Sequence, residues 1–212
     1  MHKYKVIIFD LDGTVADTDE TIVKTYQELY SVFKPEEKVE VNKLLTFSGP
    51  PIRETMKKEF ANYDTDFMIE EYQRRTKKYY ERYVRTYPYV KETLLELKKR
   101  GIKIGVVTNK VRSATIITFD LCDLNDIFDV VVCQDDVKNS KPNKEHMEKA
   151  FELLGVKRLE DVLYVGDNDI DFVSADNAGI DAMLVKFAPR SLNMEEKFKY
   201  TITSFKEVLN YV

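Results

Sequence analysis

The 212-residue sequence contains no tryptophan, two cysteines and two histidines. Cys122 and Cys133 form no Cys-x-x-Cys pair. A disulfide framework and a zinc–thiolate site are therefore not expected, and a reducing cytoplasm is the expected compartment. His2 and His146 argue against a histidine zinc centre, a histidine-phosphatase pair or a two-histidine iron site. Charge of one sign is lacking too: 33 basic residues face 37 acidic ones, for a net charge of -4. That balance removes the electrostatic case for nucleic acid or an anionic membrane. No apolar run approaches the ~18 residues a membrane helix needs. The first apolar stretch is broken by Asp10 and Asp12, unlike a secretion signal. Internal repeats and low-complexity segments are likewise missing.

What is present is ordinary for a globular protein, with 43% apolar and 33% charged residues. The length allows one large domain or a core with an insertion. Short apolar, β-rich runs occur at 5–10, 102–108, 129–133, 162–166 and 181–185. Helical patterns at 111–119, 144–154 and 169–178 lie between the later runs. Strands alternating with helices predict an α/β fold with a parallel sheet. Gly101 and Gly155 stand where helix C-caps are expected. Between Thr14 and Pro88 the alternation stops. No strand pattern is found there, and helical patterns cover 18–33, 38–45, 51–60 and 66–86, punctuated by Pro35 and Ser48-Gly49-Pro50-Pro51. The expectation is a core of residues 1–14 and 88–212 and an all-helical cap domain of residues 15–87. Arg74, Arg75, Lys77, Lys78, Arg82 and Arg85 alternate with Tyr72, Tyr79, Tyr80 and Tyr83. An amphipathic helix with inward tyrosines and a solvated basic face accounts for this stripe.

Four motifs carry chemistry. The first apolar run ends in Asp10-Leu11-Asp12-Gly13-Thr14. Residues two apart share a face of a strand, so both carboxylates can approach one reaction centre. One carboxylate can attack phosphorus while its neighbour handles a proton. The plainer alternative is a capping aspartate and an Asp-Gly turn. Thr108-Asn109-Lys110 follows the second run and precedes a helix, where backbone amides can cradle a phosphate or Thr108 or Asn109 can simply cap. In Ser140-Lys141-Pro142 a loop lysine could neutralise a phosphate or a carboxylate, or be a surface charge. Gly166-Asp167-Asn168-Asp169-Ile170-Asp171 ends another run in acids. Asp167 and Asp171, four apart, can face one point at a helix start, and grouped carboxylates suit Mg²⁺. A calcium EF-hand fails on Phe172 and Ala178, where that loop needs glycine and glutamate. Together the motifs gather at the carboxyl edge of a parallel sheet, where α/β proteins bind ligands. Four aspartates would repel a phosphate dianion unless Mg²⁺ and Lys141 offset them.

With these motifs in this order, the chain resembles the haloacid dehalogenase superfamily of phosphotransferases over nearly its whole length. The resemblance implies a Rossmann-like core with a mobile helical cap. It implies Asp10 as a nucleophile that forms an aspartyl-phosphate, and Asp12 as general acid and then base. Thr108 and Asn109 would hold phosphate oxygens, and Lys141 would bridge phosphate and nucleophile. Asp10, the Asp12 carbonyl and Asp167 would hold Mg²⁺, with Asp171 nearby. Asp12 separates the chain from the dehalogenases, whose motif is Asp-x-Tyr. The insertion point resembles the helical-cap branch of phosphoglycolate phosphatases, sugar-phosphate phosphatases, pyrophosphatases and β-phosphoglucomutases. Within the cap, Gly49 and Arg53 match the loop that faces the substrate in those relatives. Two departures are Tyr89, where glycine is usual and where it would shape the cleft near the hinge, and Asn168, where serine is common. The expected function is a Mg²⁺-dependent phosphatase of a small phosphorylated metabolite such as phosphoglycolate or a sugar phosphate. A phosphomutase, a pyrophosphatase or nucleotidase, and a silent binding protein are the alternatives. No nucleic-acid or membrane partner is expected, and the chain is expected to be a monomer or homodimer.

Overall fold

The computed structural model describes residues 4–212, so His2 lies outside them. Six parallel strands form the main sheet: β1 (Val6–Phe9), β4 (Lys103–Val107), β5 (Val130–Val132), β6 (Val162–Gly166), β7 (Asp181–Val185) and β8 (Tyr200–Ile202), in the order β5-β4-β1-β6-β7-β8. The central strands are buried on both faces, which is why they read as unbroken apolar runs. Alternate residues divide between two cores. Ile7, Phe9, Ile104, Val106, Leu163 and Val165 join one, while Val6, Ile8, Val107, Val162 and Tyr164 join the other. Full burial of an Ile or Phe contributes roughly 1.5–3 kcal/mol each, so β1 alone anchors the fold strongly. Helices α5 (Val90–Lys99), α6 (Arg112–Cys122), α7 (Glu145–Leu154) and α8 (Asp169–Ala178) connect the strands. This is a Rossmann-like α/β sheet, as expected.

Between β1 and α5 lie α1 (Asp19–Phe33), α2 (Val41–Leu45), α3 (Ile52–Glu59) and α4 (Thr65–Tyr83). They bury a separate cluster that includes Ile22, Tyr26, Leu29, Leu44, Met56, Phe60 and Met68. Three sequence expectations need correction here. The segment from 14 to 88 does contain strands: β2 (Ala16–Asp17) and β3 (Arg85–Thr86) pair antiparallel where the chain leaves and re-enters the core. The helix expected to reach residue 86 ends at Tyr83, because Val84 is already extended. Arg75 is not on a solvated face. It is 7% exposed and paired with Glu71, while Tyr79 and Lys78 meet Glu28.

Tyr89 also departs from expectation. It caps α5 with φ 67, a left-handed conformation that suits glycine, but its side chain is exposed and does not line the large cavity. Gly155 and Gly101 have positive φ; Gly155 is the C-cap of α7, and Gly101 follows the C-cap of α5. Among the described residues, no helix is long and apolar enough to cross a membrane.

Candidate active site

The motif residues meet where β1, β4 and β6 end. Lys141, from the loop before α7, is wholly buried. Its Nζ donates to Asp10 Oδ1 at 2.7 Å, to Asp171 Oδ1 at 2.8 Å and to the Tyr164 hydroxyl at 2.8 Å. Those three acceptors use all three hydrogens of the ammonium group. Burial opposes the charge on Lys141, yet Asp10 and Asp171 lift its pKa above the ordinary lysine value. Asp171 is also held at its other oxygen, which accepts from the Asp167 and Asn168 backbone N–H groups at 3.1 and 3.0 Å. Both of its oxygens are therefore engaged, and it braces the turn into α8.

Asp10, Asp167 and Asp171 present carboxylate oxygens that all lie within 4.8 Å of one another. Burial pushes Asp10 well above the usual carboxylate range; Lys141 pulls it back, and Asp171 and Asp167 raise it further. Burial likewise raises Asp167 to about 6, with Arg190 opposing and Asp171 and Asp19 adding. The cluster is short of positive charge and offers hard oxygen donors, a combination that fits Mg²⁺. The Asp12 carboxylate stands apart from this cluster. It accepts from Lys110 Nζ at 2.8 and 3.1 Å and from the Thr18 hydroxyl at 2.8 Å, on the cavity side. Gly13 lets the chain turn tightly against Asp167 and Arg190 just after the two aspartates. Its φ is +83, and a Cβ there would overlap Asp167 Oδ2 and Arg190 Nη2.

Thr108 is buried at the end of β4, and its hydroxyl oxygen accepts from the Lys110 N–H at 3.1 Å. That leaves the hydroxyl hydrogen to donate elsewhere. Asn109 behaves differently from expectation. Its side chain is spent on structure, accepting from the Lys141 N–H at 2.9 Å and donating to the Gly49 and Lys141 carbonyls at 2.9 and 3.2 Å. Only its backbone N–H remains as a candidate for a phosphate oxygen.

The loop from Phe47 to Pro50 docks on this edge. Besides Asn109 on Gly49, the Asn168 side-chain amide donates to the Ser48 carbonyl at 3.2 Å. Asn168 also caps α8, since its side-chain oxygen accepts from the Ile170 N–H. Gly49 has φ +103, and a Cβ there would sit 3.2 Å from Asn168 Nδ2, so glycine lets the loop close. A cavity of about 410 Å³ lies between loop, helices and sheet edge, lined by Asp10, Asp12, Thr108, Lys110, Gly49 and Arg53 among others. Arg53 reaches it half-exposed and paired with Asp66.

Arg190 and Lys110 were given no role by sequence reasoning. Arg190 follows β7 in a loop. It forks onto Asp19 of α1 with two bonds of 2.8 Å, and its Nη2 donates to the Ser48 hydroxyl at 3.3 Å. Its Nε lies 2.6 Å from Asp167 Oδ2 but without hydrogen-bond alignment. One guanidinium thus ties the helical segment to an acid of the cluster. Asp167, Asp10, Asp171 and Asp19 bring four negative charges against the two positive charges of Lys141 and Arg190, which leaves the deficit of one divalent cation. The available signal for Arg190 was its place beyond the carboxyl end of a parallel strand, which is too general to single out one arginine.

Comparison with known proteins agrees with this geometry. The family model for haloacid dehalogenase-like hydrolases matches residues 7–185. The pyrophosphatase PpaX of Bacillus cereus strain B4264 is 35% identical over 197 residues, 93% of this chain and 90% of that protein. PpaX of Bacillus mycoides is 36% identical over 210 residues, 98% and 96% of the two chains. A haloacid dehalogenase-like family hydrolase from Streptococcus pneumoniae shares the fold, with a TM-score of 0.80 at 19% identity and 98% of each chain covered. So does CbbY from Rhodobacter sphaeroides, solved in complex with phosphate, with a TM-score of 0.78 at 22% identity over 97% of this chain and 96% of that one. The chain belongs to the haloacid dehalogenase-like hydrolase family.

Proposed function

We propose that the chain is a Mg²⁺-dependent phosphatase that acts on a small phosphorylated compound through an aspartyl-phosphate on Asp10. The observation that carries this reading is the buried ammonium of Lys141 holding Asp10 at 2.7 Å with one oxygen left free. A carboxylate fixed at one oxygen presents the other for in-line attack. Asp10, Asp167 and the Asp12 carbonyl would hold the metal, which would supply charge neutralisation for the transferring phosphoryl group. Thr108, with its free hydroxyl hydrogen, and the Asn109 N–H are suited to donate to the phosphoryl oxygens.

In the first half-reaction the Asp10 oxygen bonds phosphorus and the bond to the leaving oxygen breaks. Asp12 gives that oxygen its proton. In the second, water attacks phosphorus, Asp12 takes the water proton, and the Asp10–phosphorus bond breaks to release phosphate. The helical segment 15–87 acts as a cap that excludes water during the first step. Phosphoglycolate and sugar phosphates fit this chemistry. Pyrophosphate is a second substrate reading, favoured by relatives of about 35% identity that are named pyrophosphatases.

The test is phosphate release from pyrophosphate, phosphoglycolate and glucose 6-phosphate with Mg²⁺. Asp10→Asn keeps the shape of the side chain but removes the nucleophile, so turnover should vanish while the melting temperature holds. Release that survives this change, or that persists in excess chelator, would overturn the mechanism. Interconversion of sugar phosphates without net phosphate release would identify a mutase instead.

A further inference from the structure

We propose that Lys110 reads a negative charge on the leaving group, so that the substrates are phosphoric anhydrides or phosphate esters whose leaving group carries an anion. This rests on the reading that Asp12 serves the leaving oxygen. The 410 Å³ cavity is within the range of small-molecule sites and is far larger than a phosphoryl group requires. It therefore has room for a leaving group, and its lining determines which one fits.

Two cationic side chains line the cavity among the described residues, Lys110 and Arg53. Arg53 is half-exposed and its partner Asp66 is more exposed still, so water screens that charge. Lys110 is 12% exposed and forms an ion pair with Asp12, which keeps its ammonium charged. Its place is defined by Asp12, whose oxygens it bonds at 2.8 and 3.1 Å, and by the Tyr80 ring, whose centroid is 5.5 Å away. Asp12 takes two contacts, so one ammonium hydrogen remains for another acceptor.

Position decides what that acceptor is. The phosphoryl group being transferred belongs beside Asp10, Lys141 and Thr108. Asp12 must lie one hydrogen bond from the leaving oxygen to protonate it. Lys110 lies one hydrogen bond beyond Asp12, on the cavity side. A charged group a bond or two past the leaving oxygen comes within its reach. The second phosphoryl of pyrophosphate and the carboxylate of a phosphorylated hydroxy acid both satisfy that distance. A neutral sugar does not supply the charge.

Gln73 and Gln134 line the same cavity with side-chain amides able to donate to an anion. Ile22, Tyr26, Phe47, Ile52 and Tyr72 make much of the remaining wall apolar, with Thr76 and Asp135 also at its edge, and lower the local dielectric. That strengthens the hydrogen bond the remaining Lys110 hydrogen can give an anion beyond its pair with Asp12.

The test compares matched substrate pairs at saturating Mg²⁺. Phosphoglycolate is set against 2-hydroxyethyl phosphate, which has the same size without the carboxylate. Pyrophosphate is set against methyl phosphate. Wild-type kcat/KM should favour the charged member of at least one pair by roughly ten- to a hundredfold, the usual strength of a hydrogen bond to a charged group. The pair that responds tells anhydride from carboxylate. Lys110→Met should shrink that ratio by the same factor, chiefly through KM, and Lys110→Arg should restore most of it. Methylenediphosphonate, which cannot be hydrolysed, tests the site without any variant. It should inhibit the wild type at least tenfold more tightly than methylphosphonate. Equal turnover within both wild-type pairs, equal inhibition by the two phosphonates, or a ratio unmoved by Lys110→Met would each overturn the assignment. Absence of any wild-type turnover would instead sink the phosphatase reading itself.

Discussion

Replacing Arg190 with methionine removes a guanidinium that two buried carboxylates share, at nearly constant volume. The Arg190 side chain is 4% exposed, that of Asp19 is 11% and that of Asp167 is 2%. Breaking a buried pair from one side costs about 3–5 kcal/mol, because the abandoned charge stays buried. For a chain of this size that corresponds to a fall in melting temperature of roughly 10 °C. The loss has two parts with different signatures. Asp167 loses a neighbour that a divalent cation can replace, so saturating Mg²⁺ should recover part of the deficit. Asp19 loses two aligned bonds that no cation in the cluster can restore.

The deficit should also depend on pH. Arg190 opposes the rise of the Asp167 pKa to about 6, so without it the folded-state value climbs further. A raised folded pKa favours the protonated form, so the penalty is small near pH 5 and grows as pH rises through and beyond 6. Urea unfolding followed by circular dichroism, with chelator and with Mg²⁺, reads these differences as midpoint shifts at constant slope. Combining Asp19→Asn with Arg190→Met should give a coupling of about 1–3 kcal/mol. A single-variant loss below about 1 kcal/mol, or a cycle that is simply additive, would refute the clasp.

Metal affinity should weaken as pH falls below about 6, by up to tenfold per pH unit, because protons and Mg²⁺ compete for Asp167; titration calorimetry at pH 5, 6 and 7 measures this. In chelator the stability contributed by Asp167 is complete below its ordinary pKa and is lost as pH rises through about 6. His146 works against it: burial and the charge on Lys141 lower its pKa to about 4, so its contribution is lost as pH falls from about 6.5 towards 4. From these two groups the slopes oppose each other between about pH 4 and 6, so without metal the melting temperature should stay nearly level there, and His146→Gln should leave it falling as pH rises across that range. Gly166→Ala puts a Cβ into the Asp171 side chain. Since Asp171 positions both Lys141 and the turn into α8, the change should destabilise the protein by about 1–3 kcal/mol and reduce turnover by far more than the stability loss accounts for, as measured by calorimetry and phosphate release. Preserved kinetics in that variant would remove Asp171 from its bracing role.

Most of the site could be read from the sequence because the fold repeats one device. Each central strand is an apolar run that stops at a polar motif, so Asp10, Thr108 and Asp167 announce themselves by interrupting a hydrophobic pattern. Lys141 was legible only in their company, since nothing local distinguishes it from the other basic residues. The missed features lack a local pattern. β2 and β3 are two residues each, too short for any period, and β8 is a three-residue, partly exposed edge strand. Arg190 and Asp19 are 171 residues apart and meet only because the loop after β7 runs beside the start of α1. Asn109 sits beside Lys141 as the motif order suggested, but its side-chain amide is the brace that joins Gly49 to Lys141.

The two-rung ribbon of β2 and β3 has a consequence for how this molecule can change. Ala16 pairs with Thr86 and Asp17 with Arg85, so the outgoing and returning chains stand side by side, about 5 Å apart. A hairpin turn could bridge that gap, and so could a different helical module of any length. Asp10, Lys141, Asp167 and Asp171 all lie outside the ribbon. Exchanging what is grafted at this single port would therefore rebuild most of the cavity wall while leaving that cluster untouched. What a new graft must rebuild is small: an acid for Arg190 to grip and a glycine loop for Asn109 and Asn168 to hold.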